Sequence, residues 1–348
     1  MKAAKIVLVI ICMQCVVVTV ADALTYTVQA FDNFQPCDIN NKGQVAGRVF
    51  ESGAWRGAAL WEAGTFTSIE VLSGYDSTIV TEINDNGQVV GYCHSTSGTY
   101  SDTAFLWQKD TGMINLGILP GAQSSTATAI NNQGQIVGYV NSGKNRLPFI
   151  WESGTGMTGL PLLLGCTYGT AADINDSGHI VGACFNPLED LWGDALSHPF
   201  VWDDADGTRA YGPSAYIPVK INNLDQVVGA IPGVYWCEPI ILHPDGTQVA
   251  MHVSPIDMNN LGEIIGEGDG DIWVYGCGLF RSCDGTVDYI NFADSGEIVA
   301  INDHNQVVST NALITITPEP SSAIAVIGGV AGLGAAAFRR KKVGSLSK

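Results

Sequence analysis

Side-chain oxygens at alternate positions are the clearest chemical feature of this sequence. Asp173-Ile-Asn175-Asp-Ser177-Gly178 has the spacing of the first half of a calcium loop. Asp38-Ile-Asn40 and Asp257-Met-Asn259 begin the same way. Calcium is the cofactor this spacing would take, with Asp173, Asn175 and Ser177 as ligands. No bidentate Glu follows, and the fifth position is Lys42 in one loop and Leu261 in another. The alternative is that Asp and Asn brace a turn and no cofactor is held. Carboxylates are abundant enough for an acid pair of the kind glycoside chemistry uses. Asp190, Asp194, Asp269 and Asp271 stand in the segments that depart most from the regular pattern described below. The histidines, His94, His179, His198, His243, His252 and His304, form neither an HExxH nor an i, i+4 pair. There is no Gly-x-Ser-x-Gly elbow, phosphate-cradling Gly loop or dinucleotide fingerprint. The expectation is a protein without a catalytic constellation.

Charge narrows the partners. The chain has 348 residues, 16 Lys and Arg against 34 Asp and Glu, and a net charge of −18. Such a surface repels phosphate backbones, so nucleic acid is excluded as a partner. Nine cysteines include Cys166 with Cys184 and Cys277 with Cys283, close enough in sequence to be disulfide candidates in an oxidising compartment. None of the seven that follow the N-terminal apolar stretch forms a CxxC, which argues against zinc.

The elements that position these groups are repeats. Ile-Asn-x-x-Gly-Gln-Val-Val-Gly recurs from Ile39, Ile83, Ile130, Ile174, Ile221, Met258 and Ile301, at spacings of 44, 47, 44, 47, 37 and 43 residues. The Ile closes a strand, Asn-x-x-Gly turns the chain, and Gln-Val-Val-Gly begins the returning strand. A second signature follows: Ala58-Ala-Leu-Trp61, Ala104-Phe-Leu-Trp107, Pro148-Phe-Ile-Trp151 and Pro199-Phe-Val-Trp202. It reads as a buried third strand. The tryptophans would either stack on sugars or fill the core, and their repeat position favours the core. A Gly turn and a fourth apolar stretch complete the unit. Four short antiparallel strands per repeat make one β-propeller blade. The expected fold is an all-β propeller of about seven four-stranded blades. Six blades or an open β array are the alternatives, because 280–302 is irregular. The strand Leu24–Ala30, which has no motif before it, would complete the last blade and remove the open edge.

The paired signatures, Ile-Asn-x-x-Gly-Gln-Val-Val-Gly and Ala-Phe-Leu-Trp, resemble the extracellular HAF repeat family, strongly over 37–202 and more weakly beyond. The resemblance implies an extracellular location and carries no activity.

Both termini read as export signals. Lys2 and Lys5 precede an apolar stretch, Ile6–Val20, and Ala21-Asp-Ala23 supplies the small residues a signal peptidase reads, giving a signal peptide over 1–23. The repeat domain then spans 24–317. After it come Pro318-Glu319-Pro320, an apolar run from Ala323 to Phe338, and Arg339-Arg340-Lys341-Lys342. As a helix the run spans about 24 Å, short of a ~30 Å hydrocarbon core, and the cations after it would stay cytoplasmic. Together, 318–348 resembles the PEP-CTERM sorting signal of Gram-negative bacteria. The resemblance implies transient inner-membrane anchoring by the short C-terminal helix. It also implies recognition by an exosortase and removal of the tail near Pro318-Glu319-Pro320. The expected function is a structural, adhesive or polysaccharide-binding role in the extracellular matrix, with exopolysaccharide or other surface proteins as partners. The alternatives are a propeller enzyme acting on polysaccharide, a hydrolase or lyase, and a calcium-stabilised adhesion module.

Overall fold

Burial along the strands follows the repeat. The first strand of a unit, such as Ser77–Ile83, alternates buried and half-buried residues. The third, such as Asp102–Gln108, is buried at every position but its ends. A strand covered on both faces needs apolar residues on both. The fourth, such as Gly112–Gly117, is mostly half-buried or exposed and forms the outer edge. The computed structural model describes residues 7–12, 15–20, 25–51, 54–96, 102–186, 197–232, 237–251, 253–268, 277–281, 286–290, 297–310 and 312–317.

These strands build seven four-stranded antiparallel sheets. Numbered as blades 1 to 7, they cover 34–69, 77–117, 124–159, 168–210, 217–250, 253–290, and 298–317 with 25–30. Within each of the first six blades the strands pair in chain order. Blade 7 takes three strands from the end of the body and its fourth, Thr25–Ala30, from the beginning. That strand pairs with Ala312–Thr317 from Thr25 opposite Thr317 to Ala30 opposite Ala312. First strands of successive blades touch, including those of blades 7 and 1, so the ring is closed around an axis. The protein is a β-propeller. The apolar segment near the N-terminus forms a separate hairpin, Val7–Cys12 with Cys15–Val20, that pairs with none of the blades. Ala21, Ala23 and the whole of 318–348, including Pro318, Glu319, Pro320, Arg339, Arg340 and Lys341, lie outside the described residues. Among the described residues no helix is long and apolar enough to cross a membrane.

The core lies between blades. Ala46 and Leu60 of blade 1 pack with Val80, Val89, Phe105 and Trp107 of blade 2, and comparable clusters fill the other junctions. Trp61 and Trp107 are buried in these clusters, and Trp151 and Trp202 pack half-buried against them. The repeated tryptophans therefore serve as core.

All seven first strands carry a one-residue bulge. At each, a residue such as Thr81 or Thr128 drops out of register, and the next one changes face. Opposite the bulge sits the last glycine of the motif in blades 1 to 6, and Ser309 in blade 7. A β-carbon at Gly138 would lie 2.0 Å from the carbonyl oxygen of Thr126, and one at Gly91 equally close to that of Ile79. At these positions glycine lets the two backbones approach this closely.

Candidate functional site

The motif asparagine is the first component of the site. In every copy its Oδ1 accepts the backbone N–H groups two and four residues on, as Asn131 does from Gln133 and Gln135. Its Nδ2 donates to the carbonyl of the same asparagine in the next blade. The chain of donors runs Asn40, Asn84, Asn131, Asn175, Asn222, Asn259, Asn302 and back to Asn40, at 2.9–3.3 Å. Every one of these amides is at most 5% exposed, so unmet hydrogen bonds here would be expensive. The turn geometry follows from the motif: Gly87 has φ +73° and Gly134 +81°, while Asp225 and Asn305 occupy the same position at +58° and +56°.

A second ring is made by the residue after each asparagine. The backbone N–H of Asn41, Asp85, Asn132, Asp176, Asn223, Asn260 and Asp303 each donates to Oδ1 of the next member, at 2.7–2.8 Å, and the last closes on Asn41. Amide and carboxylate side chains alternate around most of it. Asp85 Oδ2 accepts from both Asn41 and Asn132, and Asp176 Oδ2 from both Asn132 and Asn223.

Behind these rings the bulges aim one residue per blade at the axis: Asp38, Glu82, Ala129, Asp173, Lys220, Asp257 and Ala300. The five polar ones line a cavity of about 140 Å³. Four carboxylates each accept the backbone N–H of the residue that closes the next blade's first strand. The pairs are Asp38 with Ile83, Glu82 with Ile130, Asp173 with Ile221 and Asp257 with Ile301, at 2.6–2.8 Å. Lys220 crosses the axis to donate to Glu82 and stands 3.9 Å from Asp173. Burial pushes the Asp38 and Asp173 carboxyls up, and that of Glu82 up to about 7, with Lys220 opposing the rise at all three. Burial alone would lower the Lys220 pKa. The carboxylates of Asp173, Glu82, Asp257 and Asp38 outweigh it and hold the ammonium well above its usual value. One cation thus sits among four acids, and Glu82 exchanges its proton near neutral pH.

The calcium reading needs correction. Asp173 is only 4% exposed and faces the axis, where its Oδ2 accepts from Ile221. Asn175 Oδ1 already accepts from Ser177 N and His179 N, which leaves no lone pair for a cation. Ser177 enters this network through its backbone. The alternate oxygens shape the turn, and Asp38 and Asp257 belong to the axial cluster. Cys166 and Cys184 are disulfide-bonded, with Cα atoms 5.8 Å apart. Cys277 ends up in a strand, and Cys283 lies outside the described residues. So do Asp190, Asp194, Asp269 and Asp271. His179 takes the place of the motif Gln, and its Nδ1 lies 2.6 Å from Oδ1 of Asp225, which takes the place of the motif Gly in the next blade. Lys220 and Glu82 were not singled out by their sequence. Their signal was the position just before each Ile-Asn, polar in some copies and Ala in others.

Comparison with known proteins agrees with this architecture. Residues 61–154 match a family model described as a protein of unknown function, DUF3466. No curated protein sequence matches the chain. Among solved structures, a streptogramin B lyase superposes with a TM-score of 0.53 at 12% identity, over 84% of this chain and 98% of that one. Virginiamycin B lyase from Staphylococcus aureus gives 0.52 at 10%, over 85% and 100%. The β-propeller domain of the trilobed protease from Pyrococcus furiosus, described as having an open velcro topology, gives 0.56 at 9%, over 83% and 94%. At these identities the likeness is one of fold.

Proposed function

We propose that this protein is an exported, surface-sorted propeller with a structural, adhesive or polysaccharide-binding role in the extracellular matrix of a Gram-negative bacterium. The observation that carries this reading is the use made of the repeated polar residues. The amides and carboxylates of seven copies are hydrogen-bonded to each other and to the backbone, so the motif is a closure device for a rigid scaffold. A scaffold of this kind leaves its connecting segments to vary and to meet a partner. The export part rests on the N-terminal signal pattern and on the resemblance of 318–348 to a sorting signal, with signal peptidase and an exosortase as the processing partners. Intact mass and fractionation of the native protein test it. A mass ending near Pro318–Ser322, in the surface or matrix fraction, is expected. A species retaining Arg339–Lys348 in the inner membrane would overturn it.

One observation favours a second reading, a polysaccharide hydrolase or lyase. Glu82, with its carboxyl pushed up to about 7 beside a half-buried lysine, has the proton affinity of a general acid or base. Incubation with host exopolysaccharide separates the two. Retention without new reducing or unsaturated ends supports the binding scaffold, and cleavage lost in Glu82→Gln supports the enzyme.

A further inference from the structure

A ring of seven members cannot alternate two kinds of side chain without one like pair. Here the like pair is Asn223 and Asn260, on blades 5 and 6. Elsewhere a carboxylate oxygen lies between two amides, as Asp85 Oδ2 does between Asn41 and Asn132. At the like pair that oxygen is missing. Asn223 Nδ2 makes one bond, to Asp176 Oδ2 at 2.8 Å, and Asn260 Nδ2 makes one, to Asp303 Oδ2 at 3.2 Å. Each keeps a second N–H unused by the ring. Both residues line the open mouth of the axial cavity.

The same two loops carry exposed apolar tips. Leu224 and Leu261 follow directly on Asn223 and Asn260, and each is 57% exposed. The equivalent tips on blades 7 and 1 are His304 and Lys42, both exposed, whereas blades 2 to 4 present Asn86, Gln133 and Ser177. One side of the mouth thus combines two free amide donors, two apolar caps, a histidine and a lysine on a strongly acidic protein.

We propose that this gap binds a carboxylate, that of a hexuronate residue in an acidic polysaccharide. The carboxylate oxygen takes both unused N–H groups and completes the alternation as Asp85 does on the other side of the ring. The C–H face of the sugar rests on Leu224 and Leu261, and its hydroxyls donate to neighbouring carboxylates. Lys42, on the rim of blade 1, contributes a positive charge against the repulsion from Asp176 and Asp303. A sugar fits better than a peptide, because the mouth is lined mainly by amide and carboxylate side chains, which suit hydroxyl groups. This inference rests on the polysaccharide-binding form of the reading above.

The test is calorimetric titration of the full chain with trigalacturonate, and with maltotriose as the neutral comparison. Trigalacturonate alone is expected to bind. Asn223→Asp retains the Oδ1 that accepts from Asp176 N but replaces a donor by an acceptor, and should weaken binding about tenfold or more. Asn260→Asp does the same from the other side, so a folding defect in one variant does not spoil the test. Equal binding to wild type and both variants would overturn the site while leaving polysaccharide binding intact. No binding of trigalacturonate, with native exopolysaccharide still retained, would also overturn it. Binding of an acidic peptide but not of the sugar would overturn it in favour of a protein partner.

Discussion

Asn131 makes four hydrogen bonds with one buried side chain, two within its turn, one to Gln135 and one to the next blade. Asn131→Ala would orphan buried backbone N–H groups and break the ring. A loss of about 2–4 kcal/mol in urea denaturation is expected, against under about 1 kcal/mol for Lys144→Ala on the surface. The axial cluster adds a charge effect. Lys220→Met leaves four carboxylates, three of them buried, without their ammonium, and about 3–5 kcal/mol should be lost at pH 8. The loss should shrink at pH 5, where the carboxylates can protonate. The sign for wild type is set by the same groups. Asp38, Glu82 and Asp173 have raised pKa values, so the folded chain holds more protons than the unfolded one between the ordinary carboxylate range and about pH 7. Stability therefore falls as pH rises through that window. Lys220, also raised, contributes stability that disappears only in strong alkali. Denaturation midpoints at pH 5 and pH 8 should show higher stability at pH 5, with a smaller difference in Glu82→Gln. The opposite sign would mean that the exposed carboxylates dominate.

At the scale of the element, the bulge connects motif to site. It puts Asp38, Glu82, Asp173, Lys220 and Asp257 on the axis, and in six of the seven blades it sets a glycine of the facing strand close against the backbone. Gly138→Ala sets a methyl 2.0 Å from a backbone oxygen that cannot swing away, so about 2–4 kcal/mol should be lost in chemical denaturation. The same change at Gly143, whose surroundings are open but whose φ is +65°, tests backbone conformation alone and should cost about 1 kcal/mol. Strands, turns and core tryptophans were legible because period-2 burial and Asn-x-x-Gly are local signals. The bulge was not: it is a mismatch between two strands, and neither strand announces it. One cross-blade dependence was legible after all. The turn residue is Gly wherever the preceding copy has Gln, as in Gln44 with Gly87 and Gln88 with Gly134. It is Asp225 or Asn305 where that copy has His179 or Glu263. The structure supplies the reason: a β-carbon at Gly87 would stand 3.2 Å from Gln44 Oε1 of the neighbouring blade.

For the whole molecule, closure is the property that everything else depends on. Thr25–Ala30 supplies the last strand of blade 7 from the other end of the chain, which removes an open edge. Deleting residues 1–30 should expose Ala312–Thr317, lower the melting temperature by more than about 10 °C and promote self-association, read by circular dichroism and size-exclusion chromatography. An unchanged melting curve and a monomeric elution would mean that the hydrogen-bonded rings alone keep the propeller shut.

The sequence by itself determined the repeat, its four strands, the turn chemistry and the strand that closes the circle, because each is encoded within one copy or by an unpaired segment. Only the tertiary structure decided that the alternate oxygens brace turns rather than hold calcium. It likewise gathered Lys220 with four acids from other blades and placed the like pair at Asn223 and Asn260. Those outcomes depend on which copies become neighbours around a closed ring, and on distances between residues 37 to 262 positions apart in the chain.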